Sequence, residues 1–169
     1  AAEAEGGQAF DAAREHYLAA LAIDGTLEGV AERADLVAPL AEVSVEHVYH
    51  GGSALEPLLT LLRRLDKALA TAFSGLESDD ERRRTLEALW SIFRCDIEHF
   101  DLGLGEGLEH LLRDAAPVET RRAYAERARS LLDDLLDEHL LGEESALDLA
   151  TFVLEFGGPE LDTDALLEA

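Results

Sequence analysis

The sequence predicts an all-α fold, and three observations carry that expectation. The chain has 169 residues, 47% of them hydrophobic, yet aromatics make up only 6% and Met is absent. Its core is therefore drawn mainly from Leu, Ala and Val, and strong helix formers outweigh the aromatic and β-branched residues that favour strands. Apolar residues recur at spacings of three and four along most segments, the period of a helix with one buried face. Gly and Pro punctuate those segments at the points where helices stop.

Residues 9–24, AFDAAREHYLAALAID, read as an amphipathic helix with Phe10, Ala13, Tyr17, Ala20 and Leu21 on one stripe. Gly25 stands where a C-terminal stop is expected. Residues 27–37 have a weaker period through Leu27, Val30, Ala34 and Val37, and Pro39 is expected to end or kink that stretch. Residues 40–50 read as helix despite three valines, the one place where a strand competes. Gly51-Gly52 is the clearest break.

Ser53-Ala-Leu-Glu56 has the form of a capping box, in which a hydroxyl and a carboxylate each satisfy an orphan amide of the first turn. A long helix is expected from there to Phe73, with Leu55, Leu58, Leu59, Leu62, Leu65, Leu69 and Phe73 on one face. After a turn from Ser74-Gly75 to Asp80, a helix over 80–100 presents Leu86, Leu89, Trp90, Phe93, Ile97 and Phe100. That is the bulkiest stripe in the chain, and it is expected at the centre of the core.

DLGLGEG (101–107) reads as a flexible interhelical loop leading into a short helix, 107–115. Pro117 opens a long helix to Leu141 with Tyr124, Ala128, Leu131, Leu135 and Leu136 inward, and Gly142 is expected to stop it. A last helix over 143–156 ends at Gly157-Gly158-Pro159, followed by an acidic tail. Seven or eight helices with short connections fold as antiparallel pairs, in a right-handed superhelix or an irregular bundle. A single domain over 1–169 with a tail from 157 is expected. The chain opens Ala-Ala-Glu without Met, so it reads as trimmed or as a piece of a longer protein.

Charge narrows the function. Asp and Glu number 37 against 14 Lys and Arg, a formal net charge of −23, and Lys67 is the only lysine. High-GC coding and a high-salt cytoplasm both produce such a composition, and the halophilic reading is preferred because salt screens the self-repulsion. So negative a chain is repelled by nucleic acid and by anionic lipid. Its apolar stretches fall far short of the roughly 20 residues that span a bilayer. No signal peptide opens the chain, and the expected location is the cytoplasm.

The first helix resembles the second helix of a tetratricopeptide repeat. Phe10, Ala13, Tyr17, Ala20 and Leu21 match its aromatic–Ala–aromatic–Ala-Leu positions, and Ile23-Asp24 matches its ending, although Gly25 stands where that family usually has Pro. The likeness covers about 16 of the 169 residues, and no second copy follows at the ~34-residue period of such repeats. It implies a helix-pair scaffold that binds proteins. Residues 38–132 are similar to helical regions accompanying SWIM-type zinc fingers. LWSIFRCDIE, the glycine spacing of DLGLGEG and PVETRR carry that likeness. The zinc ligands themselves have no counterpart in this chain, so the resemblance implies an appended scaffold whose DNA-directed part lies elsewhere.

Chemistry-bearing motifs are sparse. His47 and His50 beside Glu46 share a helix face, but nothing near in sequence completes the three or four ligands a metal needs. Asp96, Glu98, His99 and Asp101 concentrate ligands, but the Asp-x-x-His pattern occurs once where di-iron bundles need two Glu-x-x-His motifs. Cys95 is the sole cysteine and reads as a small packed hydrophobe. Gly103-x-Gly105-x-Gly107 lacks the preceding strand of a nucleotide loop. Arg82-Arg83-Arg84 and Arg121-Arg122 are the basic clusters. They read first as surface ion pairs and second as docking residues for an acidic or phosphorylated partner. The expected function is a non-catalytic scaffold for protein–protein interaction or self-association, with no cofactor, metal or catalytic residue assigned. The alternatives are a helical accessory region of a DNA-directed protein and a metal-binding helical enzyme.

Overall fold

Five helices account for most of the described residues: α1 (Leu55–Phe73), α2 (Asp79–His99), α3 (Glu106–Asp114), α4 (Val118–Asp137) and α5 (Glu143–Phe156). The computed structural model describes residues 34–35, 37–39, 41–42, 45, 55–100, 103–138 and 142–157, with the side chains of 55–58 excepted. No strand occurs among the described residues, and the fold is all-α. The tetratricopeptide-like helix, the His47/His50 pair, Gly51-Gly52, Ser53 and the tail beyond Gly157 lie outside the described residues. No described helix is long and apolar enough to cross a membrane. The chain divides into two compact units, residues 1–95 with 103–108 and residues 96–102 with 109–169.

In the first unit, Ala34, Val37, Ala41 and Val45 are buried at spacings of three and four, the period of a helix face. Pro39 itself has helical backbone. Residues 34–35 form a 3-10 turn, and Val37, Ala38, Ala41 and Glu42 are helical on either side of Pro39. Helix α1 buries Leu59, Leu62, Leu65, Leu69 and Phe73, the face its periodicity predicts. Each such side chain contributes about 1.5–3 kcal/mol relative to exposure.

Helix α2 starts at Ser78, whose Oγ accepts from the N–H of Glu81 at 3.1 Å. Asp79, Asp80 and Glu81 occupy its first turn, where negative charge is favoured by the helix dipole. From Thr85 to Ile97 only Glu87, Ser91 and Arg94 escape burial, so this stretch meets solvent along one narrow strip. Its stripe of Leu86, Leu89, Trp90 and Phe93 is joined by Ala88, Ile92 and Cys95. The Trp90 and Phe93 rings lie 5.5 Å apart.

The segment 103–108 is packed, contrary to the flexible loop expected. Leu104 and Leu108 are buried, as are Gly105 and Gly107. Gly103 has φ +72°, a conformation costly to residues with a Cβ. A Cβ on Gly105 would stand 2.5 Å from Phe93 Cα, and one on Gly107 would stand 2.9 Å from Asp66 Oδ2. Gly105 and Gly107 therefore permit close approach of backbone to α2 and α1. The buried Asp66 carboxylate accepts from Gly107 N–H at 3.0 Å in the first turn of α3.

In the second unit, α4 begins at Pro117, whose φ of −67° and ψ of 162° direct the chain into the helix. It buries Tyr124, Ala125, Ala128, Leu131, Leu132 and Leu135 and ends at Asp137, earlier than the Leu141 expected. Leu136 is half-buried. Gly142 has φ −73° and ψ 162°, so it is the N-cap of α5 and does not act as a left-handed stop for α4. Helix α5 packs on α4 and buries Leu149, Phe152, Val153 and Phe156. Phe152 and Phe156 meet edge to face at 4.8 Å.

Candidate functional site

Helix α5 carries two apolar faces where packing on α4 requires one. Residues 145, 149, 152, 153 and 156 are buried. On the opposite side Leu147 is 67% exposed and Leu154 is 43% exposed. With Ala150 between them the spacing is three and four, a second stripe on the same helix. Glu143 extends this stripe by a further step of four toward the start of α5. Along one flank stand Glu144, Asp148 and Glu155, all exposed. Glu155 accepts from Arg113 Nε at 2.6 Å, which raises the Arg113 pKa above its ordinary value.

The start of α5 borders an open cleft of ≈ 540 Å³ lined by Ile97, Glu98, His99, Phe100 and Gly142–Ser145. Three carboxylates, those of Glu98, Glu143 and Glu144, belong to its walls. Their charge outweighs the roughly half positive charge of a helix start. Ser145 lines the cleft and is only 7% exposed. Gly142 offers no side chain to cap the helix. Such a wall presents hydrogen-bond acceptors and negative charge beside the Phe100 ring, chemistry suited to a cationic group.

Of the two basic clusters expected from sequence, Arg82-Arg83-Arg84 is engaged close to home. Arg82 donates to Asp79 at 2.8 Å and to the Leu76 carbonyl at 2.9 Å. Arg83 donates to Asp80 at 2.7 Å. Arg84 pairs with Asp80 at 3.2 Å and with Asp35 at 3.5 Å. The hydrogen bond from Arg83 is the main reason that the Asp80 pKa falls below its ordinary 3.8. This cluster is committed to neighbouring carboxylates, the arrangement that its i, i+3 spacing favours. Arg121 and Arg122 are half-buried near the start of α4, with the Nε atoms of both enclosed. Arg82, Arg83 and Arg84 belong to the first unit, and Arg121 and Arg122 belong to the second.

Asp96 is buried, whereas Glu98 and His99 line the cleft, with His99 Nε2 3.7 Å from Glu98 Oε2. Asp101 is outside the described residues. Among the described residues no three His, Cys, Asp or Glu side chains group so as to hold a metal ion. Cys95 is buried and forms no disulfide. Gly105 and Gly107 serve packing, and the first turn of α3 already holds the Asp66 carboxylate where a nucleotide loop would hold phosphate.

Sequence reasoning passed over Leu147 and Leu154, which it counted only as part of a short helix. Their signal was present as two opposed stripes in one 14-residue helix. The meeting of Glu98 with Glu143 and Glu144 had no local signal, because 45 residues of sequence separate Glu98 from Glu143. No protein-family model, curated protein or solved structure matches this chain.

Proposed function

We propose that this chain is a non-catalytic helical scaffold that holds a protein partner on the outer face of α5. The observation that supports it is the pair Leu147 and Leu154, aligned on one stripe while the opposite face of the same helix is buried. Single exposed leucines are ordinary on protein surfaces. Two at helical spacing form a seam, and covering each would contribute about 1.5–3 kcal/mol. A net charge of −23 opposes a nucleic-acid partner and favours a protein with basic groups.

The test is affinity capture from the source extract with the wild-type chain and with Leu147→Asp/Leu154→Asp in parallel. Both leucines are exposed, so the variant is expected to keep its helical circular dichroism. A protein retained by the wild type and lost by the variant supports the docking role. An identical set of captured proteins, or none, overturns it.

A further inference from the structure

We propose that the outer face of α1 docks a phosphorylated segment of a protein partner. The exposed residues from Thr60 onward are Thr60, Arg63, Arg64, Lys67 and Thr71, with Ser74 just past the helix end. At helical spacing they fall on one stripe about 100° wide. Its three cations stand within little more than one turn, and Lys67 is the only lysine of the chain. Asp66, the one acid between Thr60 and Ser74, is buried and accepts from the Gly107 N–H. Glu56, the other acid of α1, precedes Arg63 by seven residues, about two turns away. Among the described residues no side-chain hydrogen bond or ion pair reaches Arg63, Arg64 or Lys67. The start of α2 is arranged the opposite way, for Arg82, Arg83 and Arg84 each have an acid three or four residues back. Like charges at that spacing work against a helix, and Arg63–Lys67 and Arg64–Lys67 are such pairs. An anion shared among the three removes that conflict.

The stripe exposes cations and hydroxyls but no apolar side chain. It therefore has no means of holding a helix by burial, and its affinity must come from charge-assisted hydrogen bonds. A phosphorylated serine or threonine brings three acceptor oxygens and about two negative charges to a single point. Two guanidiniums and an ammonium within a turn can address such a group together, the guanidiniums by bidentate bonding. Extended polyanions fit less well. Nucleic acid, an anionic membrane or a long acidic segment brings many more negative charges up to a molecule of net charge −23. The stripe belongs to the first unit and α5 to the second, so docking here does not depend on the role proposed for α5.

NMR titration of the isotope-labelled full chain tests this with peptides of one otherwise neutral sequence, bearing a central phosphoserine or serine. The phosphoserine peptide is expected to shift the amides of residues 60–74 saturably. It should bind at least about tenfold more tightly than the serine peptide, the effect of one or more charge-assisted hydrogen bonds. Arg63→Gln/Arg64→Gln should weaken it by at least about tenfold at unchanged circular dichroism, since both side chains are exposed. Arg63→Lys/Arg64→Lys keeps the charge and should weaken it less, through loss of the planar fork. Arg83→Gln/Arg113→Gln removes the same charge from two arginines already paired with acids, and should leave binding unchanged. Equal binding of the two peptides, no binding, or an equal loss in the Arg83/Arg113 variant overturns the proposal. So does inorganic phosphate that shifts the same amides as tightly as the phosphopeptide does. Tighter binding of a DNA oligonucleotide or of phosphatidylserine vesicles, lost in Arg63→Gln/Arg64→Gln, also overturns it and assigns the stripe to that polyanion.

Discussion

Gly103, Gly105 and Gly107 occupy three alternate positions and serve two different purposes. Gly103 supplies a positive φ, whereas Gly105 and Gly107 remove a side chain where Phe93 and Asp66 stand. Gly105→Ala is therefore expected to be the most damaging of the three. Its Cβ would meet backbone at 2.5 Å, which cannot rotate away, and overpacking of that kind costs about 3 kcal/mol or more. Gly103→Ala should cost about 1 kcal/mol, the strain of a left-handed residue with a Cβ. Urea unfolding of the two variants checks the order, and equal losses would contradict the close approach. Thr85 gives the opposite sign. It is fully buried on α2 and its Oγ1 has no hydrogen-bond partner among the described residues. Thr85→Val removes a stranded hydroxyl at nearly constant shape, so it should raise stability by about 1 kcal/mol, measured as a higher urea midpoint at unchanged slope.

The start of α2 is governed by local chemistry. Ser78-Asp-Asp-Glu81 has the same capping-box form as Ser53–Glu56, and Ser78 Oγ holds the Glu81 amide. Ser78→Ala should cost about 1 kcal/mol, while Ser78→Asp should be close to neutral because Asp caps equally well. Two residues on, the Asp80 carboxyl has its pKa lowered by the Arg83 hydrogen bond and by both neighbouring arginines. A carboxyl whose folded pKa lies below its unfolded value adds stability above the unfolded value. That contribution disappears as pH falls through the folded one. Asp80 is exposed, so the effect on stability is small, and the direct readout is a carboxyl NMR titration. Its midpoint should lie below 3.8 and move upward in Arg83→Gln. Helix α5 differs in kind, because its inner face is fixed by α4 and its outer face by nothing on the same element. The three-four pattern of its apolar residues is readable in sequence, but which stripe turns inward is decided by the helix it meets.

At the scale of the whole molecule, charge governs. A formal −23 spread over one chain repels itself, and salt screens that repulsion within about 10 Å at 0.1 M and within less at molar strength. Urea unfolding should accordingly give a larger free energy in molar KCl than in low salt. Equal values would show that local ion pairs such as Arg83–Asp80 and Arg113–Glu155 already balance the surface.

The five helices lie within a few residues of where periodicity and stop signals put them, because hydrogen bonding and burial along a helix are set by neighbours three and four residues away. The boundary errors have local causes as well. Gly142 looks like a stop until its backbone angles show an N-cap. What the sequence by itself determined is the helical class, the inward faces of α1, α2 and α4, and the surplus of negative charge. Tertiary packing alone makes Asp66 meet Gly107 and gives Glu98 a cleft in common with Glu143 and Glu144. These pairs stand more than forty residues apart. Their meeting depends on how helices pack, which no local period encodes.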